Sequence, residues 1–160
     1  MPLKIQKLTP SQALQKIKIF CAYQERSHQE VKDKLYGFGL YRMEVENILA
    51  ELISENYLNE ERFAKMFAGG KYRMKQWGRI KIINELKLKR VSPYNINIAV
   101  HEIDENDYLQ TLEKLALKKW QSLKADQYIL REVKTTKYLM QKGFEVNLIK
   151  TALQKIRSKE

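Results

Sequence analysis

The sequence predicts an all-α protein organised as an elongated tandem array of three three-helix repeats. Composition is the first reason, because the 160 residues are rich in helix-forming types but include only 6 glycines and 3 prolines. An apolar pattern that recurs three times along the chain is the second. The third is a set of helix-start and helix-stop signals that accompany this pattern.

The repeat is visible when residues 34–52, 85–103 and 138–156 are aligned without a gap. Its first column holds Leu35, Leu86 and Leu139, which are 51 and 53 residues apart. The other five apolar columns are Leu40/Val91/Phe144, Val45/Ile96/Ile149, Ile48/Ala99/Ala152, Leu49/Val100/Leu153 and Leu52/Ile103/Ile156. A unit of about 50 residues has a small core, so neighbouring units are expected to stack. The predicted repeat boundaries are 1–57, 58–105 and 106–160.

Each repeat is expected to contain three helices, and the first of them are predicted at residues 11–24, 59–75 and 106–123. The second helix of repeat 1 begins at the capping-box spacing of Ser27 and Glu30, and it ends near Gly37 or Gly39. Gly143 ends the equivalent helix of repeat 3. In repeat 2 the second helix is predicted at 79–90, after a turn at 76–78 whose corner Trp77 covers.

The third helices carry apolar residues at i, i+3, i+4 and i+7, as repeat 1 shows with Val45, Ile48, Leu49 and Leu52. In repeat 2 this helix is expected to begin at Ser92, because serine followed by proline is a favoured start.

Composition also limits where the chain works. Hydrophobic residues make up 44% of it, yet no run approaches the roughly 18 apolar residues of a membrane span. The N-terminus MPLKIQKLTP lacks the apolar core of a secretory signal. The single cysteine permits no internal disulfide, which fits a reducing compartment. We therefore expect a cytoplasmic monomer with no membrane partner.

Residue types that carry catalysis or bind metals are few and scattered. His28 and His101 are 73 residues apart and neither lies in a spaced ligand motif, while Cys21 lies in an apolar segment that predicts burial. The carboxylates of residues 59–62 and 104–107 stand at predicted helix starts, where they favour the helix dipole. No phosphate-binding glycine loop or nucleophile elbow is present. We expect a non-enzyme that needs no cofactor and no metal.

Charge is sorted into blocks along the chain, with a net charge of +11 and a pI near 9.6. Residues 71–91 carry eight positive charges and one negative, and residues 114–160 carry twelve and four. Residues 41–62 carry two positive charges and six negative, and 92–113 carry five acids without Lys or Arg. Such a balance attracts nucleic acid, anionic lipid or an acidic protein surface.

The stretch KYRMKQWGRIKIINELKLKR, residues 71–90, combines this charge with aromatic rings. Tyr72 and Trp77 are suited either to stack on bases or to join the core, and a solvated basic face is the alternative for the whole stretch. Gly69 and Gly70, just before it, predict a tight packing contact or a helix break. Cations together with stacking rings favour single-stranded nucleic acid, bound without regard to sequence.

Two segments, YLNEERFAKMF (57–67) and WGRIKIINELKLKRV (77–91), closely resemble the RecX family, whose members regulate the RecA recombinase. The matching family positions are Glu61-Arg62-Phe63, the basic residues 71–75, Gly78, Ile82, Glu85-Leu86 and Lys89–Val91. Arg90 departs from the family, which often has glycine there, and this departure puts the local turn geometry in doubt. A weaker resemblance extends over residues 13–157.

The resemblance implies a curved repeat array that lies along the groove of a RecA–single-stranded DNA filament. It also implies inhibition of strand exchange and of ATP hydrolysis, without catalysis by the regulator itself. Arg62 is expected either to take part or to pair internally with a carboxylate. The candidate filament and DNA contacts, by match to basic family positions, are Lys71, Arg73, Lys75, Arg79, Lys81, Lys87, Lys89, Lys134 and Lys137.

Two hypotheses remain open at the level of sequence. One is a regulator whose target is the nucleoprotein filament. The other is a general, sequence-independent helical module for DNA or RNA that has no recombinase partner. A weaker third hypothesis, a protein scaffold, predicts no salt-dependent binding of nucleic acid.

Overall fold

The computed structural model describes residues 7–160, which form nine α-helices and no β-strand. The first six residues of predicted repeat 1, with most of the N-terminal segment considered as a signal, lie outside the described residues. The helices are α1 (Pro10–Tyr23), α2 (His28–Gly37), α3 (Arg42–Ser54), α4 (Glu60–Lys75), α5 (Arg79–Leu88), α6 (Pro93–His101), α7 (Glu105–Ser122), α8 (Tyr128–Gln141) and α9 (Val146–Ser158). The predicted all-α helical repeat is confirmed.

Helix starts follow the predicted cap residues closely. The Ser27 hydroxyl accepts a hydrogen bond from the backbone N–H of Glu30 at 3.1 Å, and Ser92 caps α6 in the same way. Only half of the predicted capping box at Ser27 forms, because the Glu30 carboxylate turns instead to the Lys89 ammonium at 3.1 Å. Asp104 caps α7 through its own carboxylate, so this acid has a structural role at the helix start.

The six apolar columns of the repeat are also the core. Sixteen of the eighteen aligned residues are buried, and the other two, Leu49 and Ile156, are half-buried. Cys21 is buried among them at 7% exposure, which confirms its prediction as a small core residue. The pattern of apolar residues therefore predicted burial correctly in all three copies.

Each copy of the repeat turns through the same left-handed backbone conformation after its second helix. The aligned residues Gly39, Arg90 and Gly143 have φ angles of 85°, 60° and 99°. In each case the backbone N–H donates to the carbonyl oxygen three residues earlier, at 2.9 to 3.0 Å. Glycine adopts this conformation without steric cost, whereas arginine does not. Arg90 thus keeps the turn of the other two copies although it lacks the favourable residue.

Replacing Arg90 by glycine is expected to stabilise the protein by about 0.5–1 kcal/mol. The relief of left-handed strain, about 1–2 kcal/mol, exceeds the extra freedom that glycine gives the unfolded chain. Urea unfolding followed by circular dichroism measures the change. Gly39→Ala is the matched opposite change and should destabilise, whereas a loss of stability in Arg90→Gly would contradict the argument.

Two compact units divide the chain, and they do not follow the three predicted repeats. One contains the chain as far as Met66 together with Leu86–Ile96; the other contains Phe67–Glu85 and Asn97–Glu160. In the first unit, α1, α2 and α3 surround a core that includes Ile17, Leu35 and Leu52. The repeat boundaries and the elongated arrangement stay predictions.

The glycine pair in α4 does not break the helix, and a close side-chain contact forms at one of its two positions. The helix runs unbroken through Gly69 and Gly70. A Cβ added to Gly70 would meet nothing within 4 Å, and the three atoms nearest to one added to Gly69 belong to the flexible guanidinium of Arg73 in the same helix. The predicted helix break was therefore wrong, whereas a close contact does exist at Gly69, with a side chain of its own helix.

Candidate nucleic-acid interface

The turn between α4 and α5 is fixed by its contact with the turn between α8 and α9, within the second compact unit. The backbone N–H of Gly78 donates to the Lys142 carbonyl at 2.7 Å, and that of Ile80 donates to the Gly143 carbonyl at 2.9 Å. These bonds satisfy amide groups at the start of α5 that have no partner inside the helix. A Cβ on Gly78 would lie 2.3 Å from the carbonyl carbon of Gly143, so only glycine permits this approach.

The start of α5 is also held by side chains of α7 and of Glu145, the residue that precedes α9. The backbone N–H of Arg79 donates to the Tyr108 hydroxyl at 3.0 Å, and that hydroxyl donates to the Glu145 carboxylate. The Arg79 guanidinium lies 3.8 Å from the Tyr108 ring centroid and pairs with both Glu145, at 2.9 Å, and Glu105. Burial is the largest single influence and lowers the pKa of Arg79, but Glu145, Tyr108 and Glu105 together outweigh it, so the pKa is raised.

Of the two roles predicted for Tyr72, stacking on a base or packing in the core, the structure shows core packing. Its side chain is buried, and its hydroxyl donates to the Asp107 carboxylate at 2.6 Å. Burial first, and the Asp107 hydrogen bond second, raise the pKa of Tyr72 to about 12. Its ring lies 6.0 Å from that of Tyr108, centroid to centroid. Tyr72 therefore positions α4 against α7 and offers no face to a base.

Next to this turn, two aromatic rings are each approached by two lysine ammonium groups. Trp77 is half-buried, and its ring centroid lies 5.1 Å from the Lys71 Nζ and 4.6 Å from the Lys81 Nζ. The Tyr138 ring is approached in the same way by Lys119 Nζ at 5.0 Å and Lys142 Nζ at 5.8 Å. Together these six residues form what we call the basic–aromatic cluster: Lys71, Trp77, Lys81, Lys119, Tyr138 and Lys142.

The cluster is electrically unbalanced. Among the residues that the structure describes, no carboxylate lies within 4 Å of any of its four ammonium groups. The Lys142 Nζ instead donates to the backbone carbonyl of Lys75 at 3.1 Å. Burial, and then the neighbouring charge of Lys81, lower the pKa of Lys142. Like charges held side by side favour an anionic partner.

The nine predicted contacts fall into three groups. Lys71 and Lys81 belong to the cluster. Four more are exposed, and their side chains form no ion pair with any residue that the structure describes: Arg73, Lys75, Lys87 and Lys137. Carboxylates pair with the other three: Glu145 and Glu105 with Arg79, Glu30 with Lys89, and Asp126 with Lys134. Lys87 and Lys89 lie in the first compact unit and the other seven in the second. Whether any of the nine binds a partner stays a prediction.

Sequence reasoning missed half of the cluster: Lys119, Tyr138 and Lys142. The sequence held one signal for Lys142. It aligns with Lys89, a predicted contact, because each lysine directly precedes the left-handed turn residue of its repeat. The internal pairing considered for Arg62 is confirmed, since its guanidinium binds the Glu25 carboxylate and the Asn56 side chain. Arg62 therefore ties α4 to the loop after α1 within the first unit.

The described part of the chain contains neither a metal-type grouping of side chains nor a membrane-spanning helix. Between residues 7 and 160, no three His, Cys, Asp or Glu side chains are grouped as a metal site would require. Over the same residues, no helix combines the length and the apolar character needed to cross a membrane.

Comparison with known protein families gives two matches that together cover more than half of the chain. The family described as RecX, second three-helix domain, matches residues 59–100. The family described as RecX, third three-helix domain, matches residues 105–153. Both matches include parts of the basic–aromatic cluster, since Lys71, Trp77 and Lys81 lie in the first and the rest lie in the second.

Individual relatives agree with these matches. The chain is 31% identical to regulatory protein RecX of Prosthecochloris aestuarii over 86% of its own length and 88% of that protein. It is 30% identical to regulatory protein RecX of Oceanobacillus iheyensis over 88% of its length, but it spans only 52% of that longer protein. The crystal structure of RecX from Lactobacillus salivarius superposes with a TM-score of 0.85 at 22% identity, covering 92% of this chain and 96% of that one. That likeness is one of fold.

Proposed function

This chain belongs to the RecX family, and we propose that it is a non-catalytic regulator that binds the RecA–single-stranded DNA filament and inhibits strand exchange and ATP hydrolysis. The relatives' description as regulatory proteins supports the regulatory role. The family resemblance in the sequence supplies the recombinase filament as the target. The chain's own residues supply a surface that suits the DNA in such a filament.

The basic–aromatic cluster is the observation that carries this proposal. Four ammonium groups approach two aromatic rings with no carboxylate beside them in the described chain, although the protein contains 19 acidic residues. Phosphates of a single strand would neutralise the ammonium groups, and binding would release the counterions condensed on the DNA. Arg73 and Lys75, exposed in the last turn of α4, add two cations next to Lys71 in the chain.

Regulation rather than catalysis follows from binding alone. A protein that occupies DNA phosphates and recombinase surface within a filament changes the filament's activity without performing chemistry itself. Such binding should be largely indifferent to DNA sequence, because phosphate contacts carry no base information.

ATP hydrolysis by RecA on single-stranded DNA is expected to fall when this protein is added well below one copy per RecA. One copy bound to a filament should affect more than one recombinase subunit. Inhibition should therefore appear at protein concentrations too low to saturate the DNA. Hydrolysis is measured over a titration at fixed DNA and RecA. Inhibition that begins only when the DNA itself is saturated would overturn the regulator in favour of a general nucleic-acid-binding module.

A further inference from the structure

Trp77 has an environment unlike that of the other tryptophan. Trp120 is only 1% exposed, and its indole N–H donates to the Glu160 carboxylate at 2.8 Å. Trp77 lies half-buried at the turn between α4 and α5, held by a 3.3 Å hydrogen bond from its backbone N–H to the Lys71 carbonyl. Its ring has ammonium groups for neighbours rather than a carboxylate. A large ring at a fixed turn, facing cations, is unusual as a core residue and suits a flat ligand.

The cations around this ring are held in place by the backbone contacts of the turn. Lys81 lies one turn into α5, and its backbone N and Cβ lie against Gly143, which brings Lys142 beside it. Neither ammonium group has a carboxylate within ion-pair distance in residues 7–160. A phosphate between Lys81 and Lys142 would remove their mutual repulsion and accept charge-assisted hydrogen bonds from both.

We propose that Trp77 is a stacking platform for one unpaired base, and that Lys81 and Lys142 hold the phosphate next to that base. The inference rests on the proposed function, since it names how the DNA strand of the filament is held. Base stacking requires a ring face and an unstacked base, so the site selects single strands over duplex. It accepts every base, because each base has a π-face. Lys71, on the same ring, is left to take a second phosphate.

Binding of a fluorescein-labelled oligothymidylate, followed by fluorescence anisotropy, tests the platform. Trp77→Ala is expected to weaken this binding by about tenfold, the usual scale for losing one stacked base. Trp77→Phe keeps a ring face and should recover most of the affinity. Heparin, a polyanion without bases, should bind Trp77→Ala as well as it binds the wild type. Circular dichroism and urea unfolding serve as the control and should show that both variants are folded.

Intrinsic fluorescence gives a second readout, because Trp77 and Trp120 are the two tryptophans of the chain. Oligothymidylate should quench the emission of the wild type, whereas heparin should not. In Trp77→Phe, with excitation at the long-wavelength edge where tyrosine does not absorb, the signal comes from Trp120 and should stay nearly constant as the oligonucleotide is added.

The stacking platform is overturned if Trp77→Ala binds oligothymidylate like the wild type, or if it loses heparin and oligothymidylate equally. Such a result leaves the proposed function standing as long as the wild type inhibits RecA at substoichiometric amounts. A wild type that binds and is quenched by oligothymidylate but never inhibits RecA overturns the proposed function and leaves the platform in place. The two failures are therefore distinguishable.

Discussion

A protein in which Lys71, Arg73 and Lys75 are all changed to glutamate is expected to lose its binding to the RecA–single-stranded DNA filament. The change converts three positive charges into three negative ones at the end of α4, beside the Trp77 turn. Each lost phosphate contact lowers affinity and also reduces its dependence on salt. We expect a loss of roughly a hundredfold or more at physiological salt. Filament binding is measured by co-sedimentation or anisotropy across a range of salt concentrations.

Folding should survive this triple change. Arg73 and Lys75 are exposed, and Lys71 is half-buried with its ammonium group 5.5 Å from the Phe67 ring centroid. Negative charge in the last turn of a helix opposes the helix dipole at a cost of about 0.3–1 kcal/mol per residue, so some stability is lost. Far-UV circular dichroism should nevertheless show unchanged helical content.

The matched control is a protein in which the exposed Lys16, Lys124 and Lys150 are changed to glutamate. Net charge falls by the same amount, but none of these residues belongs to the basic–aromatic cluster. This control should retain most of the filament affinity. If both triple variants lose affinity equally, net charge rather than the end of α4 governs binding. If both bind like the wild type, the end of α4 takes no part in binding. Either result would show that the proposed interface is wrong.

The fold was predictable because its signals are local. Ser27 and Ser92 cap helices by bonding an amide three residues on, which the sequence shows directly. The apolar columns predicted the core because each repeat presents the same helical face inward. The turn at Arg90 shows how strong this regularity is, since the backbone adopts a positive φ there without the glycine that usually permits it.

The site was only partly predictable, because charge on a residue does not show whether that charge is neutralised in the fold. Arg79 and Lys81 carry the same sequence signal, two residues apart on α5. The structure gives Arg79 the carboxylate of Glu145, 66 residues away, and leaves Lys81 facing Trp77. Lys142 joins the cluster only because the α8–α9 turn lies against Gly78. No local pattern contains these distant pairings.

Replacing Gly78 by alanine is expected to destabilise the protein by about 3 kcal/mol, the upper part of the range for overpacking a close contact. The added Cβ would lie 2.3 to 2.4 Å from three backbone atoms of Gly143 and Phe144. Backbone atoms cannot move aside as the end of a flexible side chain can, so the two turns must separate. Separation breaks the hydrogen bonds from Gly78 and Ile80 and leaves their partners unpaired.

Gly70→Ala is the matched control, because a Cβ at that position meets nothing within 4 Å. In the middle of α4 alanine is the better helix former, so this variant should gain about 0.5–1 kcal/mol. Urea unfolding measures both. The Gly78 variant should also lose oligothymidylate binding, because Lys142 leaves Lys81 once the turns separate. A Gly78→Ala protein as stable as the wild type would mean that the α8–α9 turn does not lie against α5, and the basic–aromatic cluster would lose its structural basis.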